Sequence, residues 1–584
     1  MVLIKLICFR PYKRRTKVVW AGLAVLVTAS AVSGYFIGSA DYAARHREPP
    51  DPIEHLGPSV SRLHVFQRAA VCTDAPRCSE IALLNNGSAV DAAIAAMFCN
   101  GLLNMQSMGI GGGFFMTVYI KAEERAYTVN AREMAPAAAS EDMFHGSFEK
   151  ASGMSGPLAI GIPGELRGMW AAYRRWGKLP WDSLIAPTIE LCKNGFPMSK
   201  AMYDGVQTAA AGAKHDLHLR KMFFNTARGQ FYKPGTIVKP SEALCQTFQR
   251  IAEKGGDELY NGSLAVDFLD DLERVGSLIS AEDLERYEAE ISDPIAVPLS
   301  NGDTLYTPPP PSSGAILVFI LNILSGYNFN ATSINTTEDK ILTYHRILEA
   351  FKYAYATRTK LGDMKFLELS INDTATSNDT ATYGASTFNS QDSGTAHISI
   401  IASNGDAVSV TSSINFYLGA RLTTLKTGIV MNNVMDDFSS PGITNYFGLK
   451  PSPANFIAPR KRPLSSMSPS IIVDDSGNAK LVIGASGGTK ITTAVALVAI
   501  RKLWFGQSIK EAIDEARIHH QITPMYAEYE YGITQDIVKG LRDKGHGMVR
   551  YKGRGSIVCA LYRNKTAIYA NADFRKDGDV AGMD

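Results

Sequence analysis

Gly394-Thr395 joins a polar run, from Asn389 to Ser393, to an apolar stretch opening with Ala396-His397-Ile398. The small neighbours would let the Thr395 hydroxyl approach a carbonyl with little hindrance. If the bond between the two residues were cut, Thr395 would own a hydroxyl and a free α-amine, a nucleophile carrying its own base. By itself the pair reads more often as a plain loop-to-strand junction. Five further polar clusters stand out. Arg132 lies in Val129-Asn130-Ala131-Arg132-Glu133-Met134-Ala135-Pro136, and Ser413-Ile414-Asn415 follows Thr395. Asn432-Asn433-Val434-Met435-Asp436-Asp437-Phe438, Pro463-Leu464-Ser465-Ser466-Met467 and Gly484-Ala485-Ser486-Gly487-Gly488-Thr489 come later. Singly, these are a paired or surface arginine, a turn, a solvated acidic pair and a helix cap. His397, His519 and His520 have no metal-ligand spacing, and His397 reads as a strand residue.

The elements that must position these groups are legible around them. Residues 397–402 and 407–411 are β-type runs flanking Ser403-Asn404-Gly405-Asp406, and an Asn-Gly turn between such runs signals a hairpin. Strands are expected over 470–473 and 480–484, then a helix over 489–503. A helix is expected over 78–103, followed by the glycine-rich turn Ser107 to Gly113 and a buried strand. A phosphate loop runs strand, glycines, helix; here the order is reversed, so the glycines read as backbone crowding beside a site. Apolar residues at 344, 347, 348, 351 and 355 follow the helical period, and 315–324 is another buried run. Asn432 is expected to follow a strand. Residues 370–393, rich in Ser, Thr, Asn and Asp, read as an exposed loop. Strands pairing within layers, with helices outside them, indicate a layered mixed α/β protein.

The chain has 584 residues, with Lys+Arg 59 against Asp+Glu 57, so no global field argues for nucleic acid. Basic residues crowd the first 17 positions, and an uncharged run from 18 to 40 follows. That run is long enough for a transmembrane helix, and the flanking charges put the N-terminus in the cytoplasm. The expectation is a single-pass type II signal anchor, rather than a cleaved signal peptide, with a Pro-rich stalk over 41–65. Asn86, Asn261, Asn330, Asn335, Asn372, Asn378 and Asn564 open N-x-S/T sequons, which suits a glycoprotein outside the cytosol. Seven cysteines without a CxxC pair suggest one or two disulfides rather than a zinc ribbon.

Together, in this order, the clusters resemble the γ-glutamyltransferase (γ-glutamyl transpeptidase) family of N-terminal-nucleophile hydrolases, animal membrane-anchored type. The resemblance runs from residue 66 to 584. It implies an α+β, four-layer αββα fold behind the transmembrane helix, cut after Gly394 into a large subunit (66–394) and a small one (395–584). Thr395 would be the nucleophile and Ser413 the hydroxyl that orients it. Arg132 would pair with the α-carboxylate of a γ-glutamyl group, its planar fork suiting a carboxylate, with Ser465 and Ser466 adding hydrogen bonds. Asn415 and Asp437 would hold the α-amine, and the N–H groups of Gly487 and Gly488 would form the oxyanion hole. The implied activity is cleavage of the γ-glutamyl bond of glutathione and its conjugates through a Thr acyl-enzyme. Water, an amino acid or a dipeptide would accept the group, with no cofactor and no metal. A Cys78–Cys99 disulfide is implied too. The chain departs from the family pattern at Val434, where an acidic residue is usual, and in a shorter segment between Asp363 and Thr395. Ser393 and Ser413 replace a usual glycine and threonine. One lost charge-assisted hydrogen bond is worth about 1.5–3 kcal/mol, roughly tenfold or more in donor affinity. The contrasting expectation is a glycosylated surface protein of the same fold that no longer catalyses.

Overall fold

A computed structural model describes residues 48–83, 87–144, 156–366, 394–442, 451–551, 553 and 555–584. The expected tail, the 18–40 anchor, the polar segment 370–393 and sequons Asn86, Asn372 and Asn378 lie outside the described residues. Among the described residues no helix is long and apolar enough to cross a membrane. Both large sheets belong to one compact unit, from Ile53 to Asp584.

In chain order the main strands are β1 (His64–Phe66), β2 (Ala69–Thr73), β3 (Gly113–Ile120), β4 (Arg125–Ala131), β5 (Glu290–Ser292), β6 (Ile295–Pro298) and β7 (Thr304–Thr307). They continue with β8 (Gly394–Ile401), β9 (Ala407–Asn415), β10 (Ser470–Val473), β11 (Ala479–Ser486), β12 (Ile557–Arg563), β13 (Ile568–Ala572) and β14 (Asp579–Met583). One seven-stranded sheet has the order β14-β2-β8-β9-β3-β4-β5 and the other β1-β13-β12-β11-β10-β7-β6. Every pairing within both is antiparallel.

The residue pattern of β8 and β9 dictates how the sheets stack. Successive side chains on a strand point to opposite faces. On one face Ala396, Ile398, Ile400, Val408, Val410 and Ile414 join the larger apolar core, under α2 (Ala89–Leu103) and α3 (Glu165–Trp176). On the other, Thr395, His397, Ser399, Ser409, Thr411 and Ser413 meet the second sheet, so both faces are buried. Polar side chains there survive because they are paired: Ser399 donates to the Cys559 carbonyl at 3.1 Å and Ser409 to that of Ile483 at 2.9 Å. The second sheet buries its outer face under α6 (Gly314–Ser325), α7 (Thr337–Arg358) and α8 (Lys490–Leu503). The layers therefore run helix, sheet, sheet, helix.

The hairpin, the strands after 470, the buried run over 315–324 and the α7 stripe appear as expected. The helix expected over 78–103 is instead two, α1 (Pro76–Leu83) and α2. Ser88 caps Asp91 N–H while the Asp91 carboxylate takes Ser88 N–H, a reciprocal pair that starts a new helix. Among the described residues no strand leads directly into Asn432, and an isolated Thr423–Val430 bridge stands there instead. The Cys78–Cys99 disulfide joins α1 to α2, and Cys192–Cys245 joins α4 (Trp181–Asn194) to α5 (Glu242–Lys254). The glycine turn is crowded, as expected: a Cβ on Gly112 would stand 2.2 Å from the Ser413 carbonyl oxygen, and one on Gly111 2.1 Å from that of Val430.

Candidate active site

Thr395 is the second residue of β8, a central strand, and its partner across the ladder is Ser413. The register slips between Gly394 and Thr395, so Gly394 faces Asn415 instead of continuing the alternation. That bulge turns the Gly394 carbonyl toward the Ser413 hydroxyl, which donates to it at 2.5 Å. Thr395 Oγ1 lies 3.1 Å from Ser413 Oγ, and Asn415 N–H donates to Ser413 Oγ at 2.8 Å. Because the single Ser413 proton is engaged with Gly394, the Thr395 hydroxyl is the donor in their contact. Only glycine fits before Thr395, since a Cβ there would meet the Phe416 carbonyl oxygen at 2.4 Å.

The charged half of the site is built on the loop after β4. Arg132, 1% exposed, pairs with Asp437 and, at 3.2 Å, with Glu133. Its Nε donates to the Pro463 carbonyl at 3.3 Å, and Tyr287 holds its own carbonyl at 2.8 Å. The two residues expected at opposite ends of an amino-acid group thus neutralise each other here. Burial pushes the Glu133 carboxyl up to about 7 against the pull of Arg132, and burial likewise raises Asp437 against the same guanidinium. The Asn415 side chain adds to the pull that counters this rise at Asp437, and its Nδ2 donates to the Asn433 carbonyl at 3.2 Å. Asn415 takes φ +76°, and its Oδ1 is buried without a partner among the described residues. Such a residue is held by its surroundings rather than by its own preference. Val434 is fully buried: its Cγ1 is 2.4 Å from where a Cβ on Gly161 would stand, so the side chain is spent on packing.

Ser465 and Ser466 follow Pro463, so the chain that anchors Arg132 also carries the two hydroxyls. Ser465 Oγ accepts from Met467 N–H at 3.2 Å, and its carbonyl takes the Ser313 hydroxyl at 2.6 Å. The Ser466 hydroxyl accepts from Arg358 at 3.1 Å. Gly487 and Gly488 close β11 at φ +122° and +63°, conformations that favour glycine. Gly484 lies against the His397 ring, and Ser409 reaches Ile483. Rising along β11 therefore descends along β8, which brings the glycine pair to the Thr395 end. Among the described residues neither of their N–H groups has a backbone acceptor.

The profile of the gamma-glutamyltranspeptidase family matches residues 77–583. The chain belongs to the γ-glutamyltranspeptidase family. Scoloptoxin SSD14 of Scolopendra dehaani is 42% identical over 544 residues, covering 90% of this chain and 94% of that protein. The glutathione hydrolase 5 proenzyme of Homo sapiens is 33% identical over 576 residues, covering 92% of this chain and 95% of its own. The cephalosporin acylase of Bacillus halodurans shares the fold, with a TM-score of 0.75 at 22% identity over 92% of this chain and 100% of that one.

Three residues of this γ-glutamyltranspeptidase site leave too little signal in the sequence to be found there: Lys576, Asp74 and Arg358. Lys576 donates to the Thr395 carbonyl at 3.3 Å and to Asp74 at 2.7 Å, and Asp74 accepts His397 N–H at 3.2 Å. Arg358, at the end of α7, bridges Ser466 and the Ser313 hydroxyl, the latter at 3.3 Å. A lone lysine 181 positions from its partner leaves no local signal. Arg358 has a faint one, because it follows a helical stripe whose other members are all core. His397 is where the strand pattern puts it: buried between the sheets, it pairs with Thr411 at 2.8 Å, and burial lowers its pKa to about 3.

Proposed function

We propose that this γ-glutamyltranspeptidase cuts its own chain between Gly394 and Thr395. The freed Thr395 then cleaves γ-glutamyl bonds of glutathione and its conjugates. The observation that carries this is the continuous hydrogen-bond path from the Thr395 hydroxyl through Ser413 to the Gly394 carbonyl. In the cut, Thr395 Oγ1 bonds to the Gly394 carbon while its proton passes to Ser413 and the Ser413 proton moves to the carbonyl oxygen. Collapse re-forms the carbonyl, passes that proton to the nitrogen and breaks the C–N bond to leave an amine; water hydrolyses the resulting ester to a Gly394 carboxylate and a free Thr395. The amine then serves as base for each later turnover.

The Arg132–Asp437 pair suits a zwitterionic amino-acid end. A bound α-carboxylate takes Arg132, with Ser465 and Ser466, and the α-ammonium takes Asp437 and Asn415. One internal ion pair is exchanged for two complementary ones, and the buried charge stays balanced. Gly487 and Gly488 hold the oxyanion. Water, an amino acid or a dipeptide accepts the acyl group. The product of the cut is a large and a small subunit bound as a heterodimer. We place the catalytic unit outside the cell behind a type II anchor over 18–40; four sequon residues, Asn261, Asn330, Asn335 and Asn564, are exposed, and two disulfides support an oxidising compartment.

The test is Thr395→Ala. The variant is expected to stay a single chain and to be inert toward γ-glutamyl-p-nitroanilide, while the native protein yields a small fragment beginning Thr395-Ala396-His397. Turnover by the purified variant overturns the assignment.

A further inference from the structure

We propose that His345, Glu349 and His546 form a binding site for a divalent transition-metal ion of the Zn2+ class, apart from the catalytic machinery. His345 and Glu349 stand four residues apart on α7, hence on one face one turn apart. His546 arrives from the loop after α9 (Gln535–Asp543), which packs on the same helix. The ligand atoms already converge: His345 Nδ1 and His546 Nε2 are 2.8 Å apart, Glu349 Oε1 is 4.0 Å from His546 Nε2, and all lie within 4.8 Å of one another. Ligands of a tetrahedral ion with bonds near 2.0–2.1 Å are separated by about 3.4 Å, so modest side-chain rotations close the set.

Two imidazole nitrogens facing each other share one proton. If His345 carries it on Nε2, which its half-exposed position permits, both facing lone pairs are available and no proton is lost overall. His546 is 5% exposed and its Nδ1 is buried without a partner among the described residues, which marks an imidazole not fixed by a conventional hydrogen-bond pair. Imidazole and carboxylate donors together suit Zn2+. The competing ligand is Lys352, whose ammonium donates to Glu349 Oε1 at 2.6 Å and must leave that oxygen. The consequence reaches the active site through α7 itself, since Tyr355 donates to the Thr489 carbonyl beside Gly488 and Arg358 holds Ser466. An ion pinning α7 to the α9 loop would stiffen the helix that delivers both groups.

The experiment titrates Zn2+ alone into chelator-treated, desalted mature protein by calorimetry, alongside His345→Gln and Glu349→Gln, each checked for native circular dichroism. The native protein is expected to take up one ion per heterodimer, with affinity falling by at least about tenfold in either variant. If Glu349→Gln does not fold, the half-exposed His345→Gln decides alone. Equal stoichiometry and affinity in native and variant protein, or no saturable uptake by the native protein, overturns the proposal.

Discussion

Replacing Ser413 by alanine tests whether one hydroxyl organises the self-cut. Ser413 donates to the Gly394 carbonyl at 2.5 Å and accepts from Thr395 and Asn415 N–H, so its removal strands three buried groups. Each unsatisfied group costs about 1–3 kcal/mol, although the bulge can relax and recover part of it. The kinetic cost is separate. A pre-positioned donor on a developing oxyanion is worth about 2.7–4 kcal/mol, or about 10²–10³ in rate. Ser413→Ala is therefore expected to accumulate the uncut chain, with cutting slowed by at least about a hundredfold. Ser413→Thr, which keeps the hydroxyl, should cut within about tenfold of the native rate. The assay follows the small fragment on denaturing gels after a pulse of synthesis, with thermal melts on the same samples to separate slow cutting from unfolding. Cutting by Ser413→Ala within about threefold of the native rate would refute the relay from Thr395 to Gly394.

Arg132→Lys keeps the charge but loses the planar fork, and should raise the donor KM by about tenfold or more while kcat changes less. Steady-state kinetics with γ-glutamyl-p-nitroanilide reads that split. Lys576→Met leaves the Asp74 carboxylate buried and unpaired, a loss of about 3–5 kcal/mol in urea unfolding of the uncut Thr395→Ala chain, mostly restored by adding Asp74→Asn. Burial lifts the Glu165 carboxyl, which takes the Ser412 hydroxyl at 2.5 Å, to about 8. The folded state thus holds a proton that the unfolded state releases above pH 4.5, and stability falls as pH rises from there toward 8. In the uncut Thr395→Ala chain, Glu165→Gln should remove up to about 1.4 kcal/mol per pH unit of that slope in urea unfolding titrations.

The hairpin around Asn404-Gly405 is legible from composition and spacing, the resemblance marks Thr395 and Ser413 beside it, and the ladder of β8 and β9 then sets the two opposite each other. The glycine turn announces a close approach, and it packs on the Ser413 and Val430 carbonyls. The register slip at Gly394 is not legible, since a bulge depends on pairing partners rather than on composition. Nor is the Arg132–Asp437 contact: 305 positions separate the two, and the sequence shows their charges without their meeting. Val434 reads as a missing charge in the chain and proves to be a packing residue once Gly161 is opposite it. Lys576 and Asp74 meet only through the fold.

Both disulfides of the described residues lie before Gly394, and Cys72 and Cys559 are free. After the proposed cut no disulfide among the described residues would link the halves, yet β8 and β9 lie wedged between β2 and β3, while β10 through β13 are flanked by β7 and β1. The two pieces are thus interleaved strand by strand, and neither owns a complete sheet. The uncut chain can fold as a single molecule, whereas the mature pair, once melted, must find its complement by collision. Such a cut would make folding a one-way event, so the heat resistance of the active form would be set by how slowly it opens and not by any equilibrium it could return to.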